Sequence, residues 1–582
     1  MALLSQPVLF SAILLGCLLL LFSGRYQPHQ AMSIAALCAV LLGLVPVAEL
    51  TSALANPSLW SVVMLVLFTS VILRSTIGFT LISYLQNISH SSFSLLRLAV
   101  VTGFVSAFLN NTAVVSMFLA AMEKNPARRY FLLPLCYAAI LGGTLTLVGT
   151  STHLLANGIL SELNRPVLSF FDFFPVGIAL FVLGLPALLL ASYWLRRRYP
   201  SGEIDQTSNN EAIWNTEALL VPDSPLVGKS VLKAGLRNLG LHYLVAIERQ
   251  GQLIMPASPN TVLQAGDKLQ FVGDLLMTQS LIERGLVVAE QVRQPSMDLE
   301  IQRAVLHSHS SLIGTTLKEA DFRNSHDAAV IGVSRGNQSL SGALGQIVLQ
   351  AGDMLALVAG EKFDRLSRYS SDFHLLARTR VQPVLNVGAA GFLALAFVLV
   401  LALVATGQVG LFAGLVTLIA LVALTGRLDI ARVRRLLPLE MILTIASSLV
   451  LAKAFILTGT GMLLASAVAG YLSWLTPWGL MALLYGLTLL TTELLMNNAA
   501  VSLMLPLALV VAEATGIHAM PLVMAVIYGA SASFLMPHSY QTNLLVYSAG
   551  GYEVMDFVRS GLLLTVIYSL VVLIGVPFWF PF

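Results

Sequence analysis

The stretch SAFLNNTAVV, residues 106–115, places two adjacent asparagines inside a long apolar run, and LLMNNAAVSL at residues 494–503 does the same. Hydrocarbon offers an amide no hydrogen-bond partner, so polar side chains within a membrane segment are costly and usually functional. The two asparagine pairs therefore predict two related polar sites inside a membrane protein.

The composition indicates a helical membrane protein that carries a soluble insert. The 582 residues are 57% hydrophobic and 10% charged, which is too apolar for an ordinary soluble protein. Of the 61 charged residues, 35 lie between Pro200 and Arg380, so a soluble module interrupts the membrane part. The net charge of +3 gives no reason to expect nucleic-acid binding. The sequence shows no nucleophile–base or metal-ligand cluster, so we expect neither an enzyme nor a covalent cofactor.

Apolar runs of about 17 residues or more can cross the hydrocarbon core as helices. We predict five crossings in a first membrane repeat, residues 1–198, and five in a second, residues 381–582. The stretches 96–122 and 478–508 hold the asparagine pairs, and we expect each to be a re-entrant hairpin. The crossings are placed near residues 6–22, 31–48, 57–73, 130–160, 174–195, 383–405, 409–425, 438–456, 520–548 and 557–580.

The distribution of basic residues predicts the orientation. With these crossings, one side of the membrane collects most of the arginines, including Arg196, Arg197 and Arg198. The other side holds only Arg165 and Lys453 as basic residues. The insert should then lie in the cytoplasm and both termini outside. Because five is odd, the second half would run inverted relative to the first, an arrangement typical of secondary transporters.

Two motifs recur in both halves. NNTAV at 110–114 matches NNAAV at 497–501, and THLL at 152–155 matches TNLL at 542–545. The residues before THLL and TNLL are rich in glycine, hydroxyl side chains and proline, which predicts that both crossings are discontinuous helices. The expected fold is an all-α polytopic membrane protein with inverted repeats, two re-entrant hairpins and broken helices, interrupted by an inserted cytoplasmic α+β tandem.

The segments SAFLNNT, GTSTHLL, ELLMNNA and SYQTNLL resemble the signature segments of the divalent anion/sodium symporter family. The resemblance covers essentially the whole chain and is strongest to bacterial sulfate or dicarboxylate permeases that carry TrkA-type regulatory domains. It implies a homodimer in the lipid of the bacterial inner membrane. It also implies an elevator mechanism, in which the hairpins and broken helices move as a unit against a scaffold.

The resemblance further implies a site where the hairpin tips meet the helix breaks and hold one oxyanion and two sodium ions. By position, the substrate contacts would come from Asn111, Thr112, Asn498, Thr152, Thr542 and Asn543. The sodium ligands, some of them backbone groups, would come from Ser106, Asn110, Asn111, Gly149, Thr150, Glu493, Asn497, Asn498, Pro537 and Ser539.

The second tip departs from the family pattern at Ala499, which stands where the first tip has Thr112 and cannot donate a hydroxyl hydrogen bond. We therefore expect a lopsided anion site. Two histidines also depart from the pattern. His153 stands where the second half has Asn543, and His538 adjoins the second break, so both are candidates for contact with substrate or a coupling proton.

Glu493 is an ionisable residue within the second hairpin. Aligning Asn498 on Asn111 puts Glu493 opposite Ser106, so the resemblance predicts a cation-binding position there. We expect Glu493 either to coordinate the second cation or to titrate and make transport proton-coupled. The alternative is an acid near the hairpin mouth or one paired with a helix N-terminus.

The insert is a tandem duplication. PLVGKSVLKAGLRN at 225–238 aligns with SLIGTTLKEADFRN at 311–324, and VLQAGDKLQFVG at 262–273 aligns with VLQAGDMLALVA at 348–359. Short apolar runs and Gly-Asp turns favour a small α+β fold in two domains. The domains, residues 212–290 and 297–380, resemble TrkA C-terminal domains, which implies either a small regulatory ligand or a ligand-free dimerisation scaffold.

These features together predict a sodium-coupled importer of a small divalent oxyanion, with sulfate favoured over a dicarboxylate. A proton-coupled carrier or an antiporter of the arsenite or sodium/proton type would share the architecture and would depend on buried acids. A channel gated by the inserted domains would instead need a continuous pore.

Overall fold

The computed structural model divides into two units. The membrane unit comprises residues 1–202, 380–546 and 554–582, and the inserted unit comprises residues 203–379 and 547–553. The structure describes residues 5–22, 26–72, 75–76, 92–122, 128–199, 214–220, 222, 224–234, 236, 243–250, 252–254, 257, 260–273, 287–288, 301–307, 310–335, 338–340, 344–360, 363, 372–375, 387–424, 437–463 and 475–582.

The first half of the membrane unit contains the predicted hairpin and the predicted broken helix. Its helices are α1 Gln6–Phe22, α2 Pro28–Leu41, α3 Val47–Ala55, α4 Pro57–Ile72, α5 Ser92–Ser106, α6 Asn111–Met122, α7 Arg128–Gly143, α8 Ser151–Glu162 and α9 Phe174–Arg198. The hairpin is formed by α5 and α6, and the broken helix by α7 and α8.

The second half repeats this order. Its helices are α10 Val387–Ala405, α11 Leu411–Leu424, α12 Leu439–Leu457, α13 Pro477–Leu494, α14 Asn497–Thr515, α15 Ala519–Ser531, α16 Gln541–Gly550 and α17 Val554–Trp579. The hairpin is formed by α13 and α14, and the broken helix by α15 and α16. Hairpin and broken helix thus follow each other in both halves, as the repeated motifs predict.

Apolar helices of membrane-spanning length occur in both halves. Within the described residues, six helical stretches are long and apolar enough to cross a membrane: Val47–Ile72, Phe174–Arg198, Val387–Ala405, Leu439–Leu457, Asn497–Thr515 and Val554–Trp579. Shorter apolar helices such as α1, α2 and α11 accompany them. The chain is therefore a polytopic helical membrane protein, as its composition predicts.

One predicted crossing is wrong in its extent. Residues 31–48 are expected to form a single span, but α2 ends at Leu41 and α3 begins after Pro46. Gly43 between them has a φ of 70°, in the left-handed region that ends helices. The apolar run therefore contains a turn that hydropathy alone does not reveal.

The first parts of the two broken helices form the core of the membrane unit. Every residue of α7 from Phe131 to Gly143 is buried, and so is every residue of α15 from Pro521 to Ser531. A helix that is buried all round is enclosed by protein. The breaks that follow these helices are thereby kept away from lipid, which is the condition for non-helical backbone at membrane depth.

Within its described residues, the inserted unit contains two antiparallel sheets of five strands each. The strands are β1 Trp214–Leu219, β2 Tyr243–Arg249, β3 Gln252–Ile254, β4 Lys268–Gly273, β5 Val287–Val288, β6 Ile301–Leu306, β7 Ala328–Arg335, β8 Gln338–Ser339, β9 Met354–Ala359 and β10 Phe373–Leu375. The first sheet has the order β3-β2-β4-β1-β5 and the second has the equivalent order β8-β7-β9-β6-β10. The two sheets therefore share one topology.

Side-chain contacts repeat in the two sheets as well. Arg249 Nε lies 2.8 Å from Asp267 Oδ1, and Arg335 Nε lies 2.7 Å from Asp353 Oδ1. Both aspartates are fully buried, so each depends on its arginine for charge compensation. The equivalent ion pairs support the duplication inferred from the sequence.

Candidate functional site

The two hairpin tips differ in length. Residues 107–110 link α5 to α6, whereas only residues 495–496 link α13 to α14. In the first tip, Asn110 Oδ1 accepts a hydrogen bond of 2.9 Å from the N–H of Thr112 and so caps α6. In the second tip the capping position is held by Met496, whose side chain makes no such bond.

The second helix of each hairpin also begins at a different asparagine of its pair, which shifts the match between the tips by one residue. Because α6 begins at Asn111 and α14 at Asn497, these asparagines are structural equivalents, and Thr112 corresponds to Asn498. The sequence alignment of Thr112 with Ala499 is therefore wrong by one position. An amide that can donate and accept hydrogen bonds takes the place of the threonine hydroxyl, so the donor expected to be missing at Ala499 is present at Asn498.

Asn111 and Asn497 face the broken helix of their own half, and both are buried. Ser106 Oγ donates a hydrogen bond of 2.5 Å to Asn111 Oδ1, and a Cβ added to Gly143 would lie 2.7 Å from Asn111 Nδ2. In the second half, Ser533 Oγ donates a hydrogen bond of 2.5 Å to Asn497 Oδ1. Each tip is thereby held against the point where α7 or α15 ends.

Thr112 and Asn498 face the broken helix of the opposite half. Thr112 Oγ1 lies 3.5 Å from Gln541 Oε1, and Ser151 Oγ lies 3.5 Å from Asn498 Oδ1. Since Ser151 begins α8 and Gln541 begins α16, the two contacts are equivalent when the halves are exchanged. Thr152 Oγ1 adds a contact of 3.4 Å to Asn498 Oδ1.

These contacts pair the helix N-termini, α6 with α16 and α8 with α14, and Tyr540 beside α16 interacts with Thr150 beside α8. We call this region the meeting point. The side chains involved belong to the first two residues of α6, α8, α14 and α16. A helix N-terminus carries unsatisfied N–H groups and a partial positive charge of about half a unit. Helix N-termini paired in this way are suited to an anion, and the side chains in these contacts include no lysine or arginine.

At the first helix break, two backbone N–H groups are satisfied by the preceding turn. The N–H of Thr144 donates to the carbonyl of Leu141, and the N–H of Leu145 donates to the carbonyl of Gly142. The end of α7 therefore continues as a turn in which backbone carbonyls accept from these two N–H groups.

The second helix break uses Glu493 instead. The Oε1 atom accepts hydrogen bonds from the N–H groups of Phe534 and Leu535, and Oε2 accepts one from Met536, each at 2.9 Å. Only 6% of Glu493 is exposed. The carboxylate thus joins the hairpin to the break through N–H donors, and its role toward a cation stays a prediction.

His153 and Asn543 occupy equivalent positions and make equivalent contacts. His153 Nδ1 lies 2.9 Å from the carbonyl oxygen of Thr146, and Asn543 Nδ2 lies 3.3 Å from that of Met536, in each case seven residues back. Both side chains are fully buried, and His153 stacks on Phe173 with ring centroids 3.9 Å apart. In this structure each side chain thus connects the second part of its broken helix, α8 or α16, to the break that precedes it.

Two further predicted residues shape the first break. Thr150 is the N-cap of α8, where its hydroxyl accepts a hydrogen bond of 3.4 Å from the N–H of Thr152. Gly149 packs directly against backbone, since a Cβ there would lie 2.4 Å from the carbonyl oxygen of Gly143. A side chain at position 149 would therefore displace the break.

The remaining predicted residues lie in or beside the second break. Pro537 and Ser539 bound a 3₁₀ turn, and Ser539 Oγ donates a hydrogen bond of 2.8 Å to the carbonyl of Met536. His538 between them is exposed. Thr542 is fully buried, and within the described part of the chain its hydroxyl has no hydrogen-bond partner.

The structure adds four residues that the sequence analysis did not assign: Ser151, Ser533, Tyr540 and Gln541. Asn111 Nδ2 donates a hydrogen bond of 3.1 Å to the Tyr540 hydroxyl, which links the first tip to the second break. Three of the four lie within two residues of THLL or TNLL. Extending the motif match by two residues toward the N-terminus would have found them.

The membrane unit is a bundle of apolar helices, and each half contributes a hairpin tip to the broken helix of the other half. This arrangement is typical of a secondary transporter with repeated halves. Residues 17–529 match the family CitMHS, described as "Citrate transporter". The chain belongs to this family and is a transporter, not an enzyme.

Similarity to individual proteins agrees with this assignment. The "Putative sulfur deprivation response regulator" of Chlamydomonas reinhardtii is 32% identical over 510 residues, which is 82% of this chain and 85% of that protein. "Uncharacterized transporter sll0640" of Synechocystis sp. is 32% identical over 503 residues, 82% of this chain and 81% of its own. "Sodium/sulfate cotransporter 1" of Chlamydomonas reinhardtii is 31% identical over 357 residues, 58% of this chain and 40% of its own. The resemblance to sodium-coupled anion transporters is thereby confirmed.

Proposed function

We propose that the protein imports a small divalent oxyanion, with sulfate favoured, together with sodium, by an elevator-type alternating access. The observation that carries the proposal is the pairing of helix N-termini at the meeting point through the cross-half contacts of Thr112 with Gln541 and of Asn498 with Ser151. N–H groups and dipoles of this polarity favour an anion. The name of the sodium/sulfate cotransporter relative supports sulfate as that anion.

The anion would be held by neutral donors. Hydroxyl groups of Thr112, Ser151 and Thr152 and amide groups of Asn498 and Gln541 surround the meeting point. Their mutual distances of 3.4 to 3.5 Å are at the long end for hydrogen bonds, so an oxyanion could replace these contacts with shorter ones.

Sodium would bind behind each tip. In the first half, the oxygens of Ser106 and Asn111 lie together beside the end of α7. In the second half, the oxygens of Ser533 and Asn497 lie together, and Glu493 bonds to the next residue, Phe534. Oxygen ligands at a helix break are typical of cation sites in secondary transporters. A divalent anion bound by neutral groups also needs cations nearby to offset its charge.

The basic residues support the proposed orientation, with the inserted unit in the cytoplasm and both termini outside. We infer from the family resemblance that the protein is a homodimer in the bacterial inner membrane. By the same resemblance, the two domains of the inserted unit act as TrkA-type modules that bind a small regulatory ligand or support dimerisation.

A dicarboxylate or citrate is the second candidate substrate, because the matched family is described as a citrate transporter. Purified protein in liposomes should be supplied with radiolabelled sulfate, succinate or citrate under a sodium gradient, a proton gradient or no gradient. We expect sulfate uptake that requires sodium. Uptake driven only by protons, or uptake of carboxylates without sulfate, would contradict the proposal.

Variants test whether the meeting point is the site. Thr112→Ala and Asn498→Ala should each reduce the apparent sulfate affinity by about tenfold or more, since each removes a donor to the anion. Thr102→Ala is the matched control. The Thr102 hydroxyl is buried in the same hairpin but bonds to the carbonyl of Leu98 in its own helix. Equal effects of Thr112→Ala and Thr102→Ala would contradict this placement of the site.

A further inference from the structure

Tyr540 and Thr150 occupy equivalent positions, one residue before α16 and α8, yet their side chains act differently. The equivalence is fixed by His153 and Asn543, which each reach seven residues back to their own break. Thr150 accepts a hydrogen bond from the N–H of Thr152 and so caps its own helix. Tyr540 instead extends to the opposite half, where its hydroxyl accepts the hydrogen bond from Asn111.

The Tyr540 side chain therefore connects the two halves at the meeting point. Its backbone belongs to the second break, while its hydroxyl contacts the first tip at Asn111 and interacts with the side chain of Thr150 in the first break. Thr150, the equivalent residue, caps its own helix and contacts the opposite half through the Tyr540 hydroxyl. Of these two equivalent residues, one therefore places an aromatic ring between the halves and the other does not.

An aromatic wall restricts the shape of the anion. The ring is rigid and has few torsional states, so it cannot easily move aside. A carboxylate placed against the ring face would lose its water without gaining a hydrogen bond, which is costly for a charged group. A compact anion avoids the ring because all of its oxygens lie close to one centre.

We propose that Tyr540 limits the length of the transported anion and thereby selects a compact tetrahedral oxyanion over an extended dicarboxylate. The proposal rests on the proposed function, since it assigns a selectivity to the same site. Tyr540 is a specificity-determining residue in this reading, and the asymmetry between Tyr540 and Thr150 is its structural basis.

The first test uses the unaltered protein. Sodium-driven sulfate uptake in liposomes should be challenged with unlabelled sulfate, oxalate, malonate and succinate, which differ in the separation of their charged ends. We expect inhibition to weaken along the dicarboxylate series, with succinate at least about tenfold weaker than sulfate. Succinate that inhibits as strongly as sulfate would overturn the proposal.

The second test uses Tyr540→Thr and Tyr540→Phe. The threonine reproduces the residue of the other half and removes the wall, so inhibition by succinate relative to sulfate should strengthen about tenfold or more. The phenylalanine keeps the ring, so the wild-type ranking should persist. Tyr485→Phe is the control for losing a buried hydroxyl, because Tyr485 bonds to Ser569 away from the tips at 2.9 Å.

The outcomes separate the two proposals. If no sodium-driven sulfate uptake occurs in the wild type, the proposed function fails. If sulfate is transported but Tyr540→Thr keeps the wild-type ranking, or Tyr540→Phe loses it, only the assignment of Tyr540 is overturned. Should Tyr540→Thr fail to give folded protein, the wild-type series and Tyr540→Phe still decide.

Discussion

Replacing Glu493 by glutamine should weaken the second helix break without abolishing sodium coupling. In Glu493→Gln the side-chain oxygen can still accept from the N–H groups of Phe534 and Leu535. The new NH₂ group, however, would face the N–H of Met536, which the carboxylate now satisfies. Two donors cannot bond to each other, so one buried N–H loses its acceptor.

The magnitude follows from these three hydrogen bonds. A buried N–H without a partner costs about 1–3 kcal/mol. The two retained bonds change from charged to neutral acceptors, which are roughly half as strong. We therefore expect Glu493→Gln to destabilise the protein by about 2–4 kcal/mol. Glu493→Ala removes all three acceptors and should be worse, while Glu493→Asp keeps the charge and should be mildest.

The assay combines stability with transport. Thermal unfolding in detergent should rank the proteins as wild type, Glu493→Asp, Glu493→Gln and Glu493→Ala, from most to least stable. Sulfate uptake by folded Glu493→Gln should be slower but should keep the sodium and pH dependence of the wild type. Glu513→Gln, at an exposed acid of the same unit, should match the wild type in both measurements. The opposing result would be a Glu493→Gln protein that is as stable as the wild type and is altered only in the sodium or pH dependence of uptake. That result would refute the structural role of Glu493 as acceptor for the N–H groups of the break, in favour of a cation or proton site.

Three further predictions concern other parts of the molecule. Gly143→Ala should reduce uptake about tenfold or more, because the added Cβ would lie 2.7 Å from Asn111 Nδ2 and displace this side chain. Gly486 has open space around it, so Gly486→Ala should leave uptake unchanged in the same liposome assay. Arg335→Ala should destabilise the inserted unit by about 3 kcal/mol, because fully buried Asp353 would lose its counter-charge. Hydrogen exchange of β7 and β9 in the full chain measures this loss of stability. Unchanged protection of these strands would contradict the prediction. The hydrogen bond with His326, followed by those from Ser311 and Ser310, holds the pKa of Asp372 below its ordinary value of 3.8. A depressed folded-state pKa gives stability that is present above about pH 4 and is lost as the pH falls toward the folded value. The hydrogen-exchange protection factors of residues 310–326 should therefore fall on acidification in the wild type and much less in Asp372→Asn.

The repeat, the hairpins and the breaks could be predicted from the sequence because each has a local signature. An asparagine pair in an apolar run identifies each tip, and glycine, hydroxyl residues and proline identify each break. The turn at Gly43 was missed because an apolar run with one glycine does not differ in hydropathy from a continuous span.

The pairing within the site could not be predicted in the same way. The contact of Thr112 with Gln541 joins residues 429 positions apart, and that of Asn498 with Ser151 joins residues 347 apart. The one-residue shift between the tips arises because α6 begins at the second asparagine of its pair and α14 at the first, which an ungapped match of NNTAV to NNAAV conceals. Only the positions where α6 and α14 begin reveal that Thr112 corresponds to Asn498.

The two halves share an architecture, but their helix breaks use different hydrogen-bond acceptors. In the second half, three N–H groups are committed to Glu493, so they cannot bind the anion. In the proposed site, the helix N-termini and neutral side chains bind the anion. These groups carry no full positive charge, so they do not neutralise its net charge. If sodium binds beside Asn111 and Asn497, it supplies the balancing charge from the rear of each tip, where the asparagine oxygens already face serine hydroxyls. Coupling would then follow from electrostatics: without the cations, two negative charges would be buried against partial charges alone.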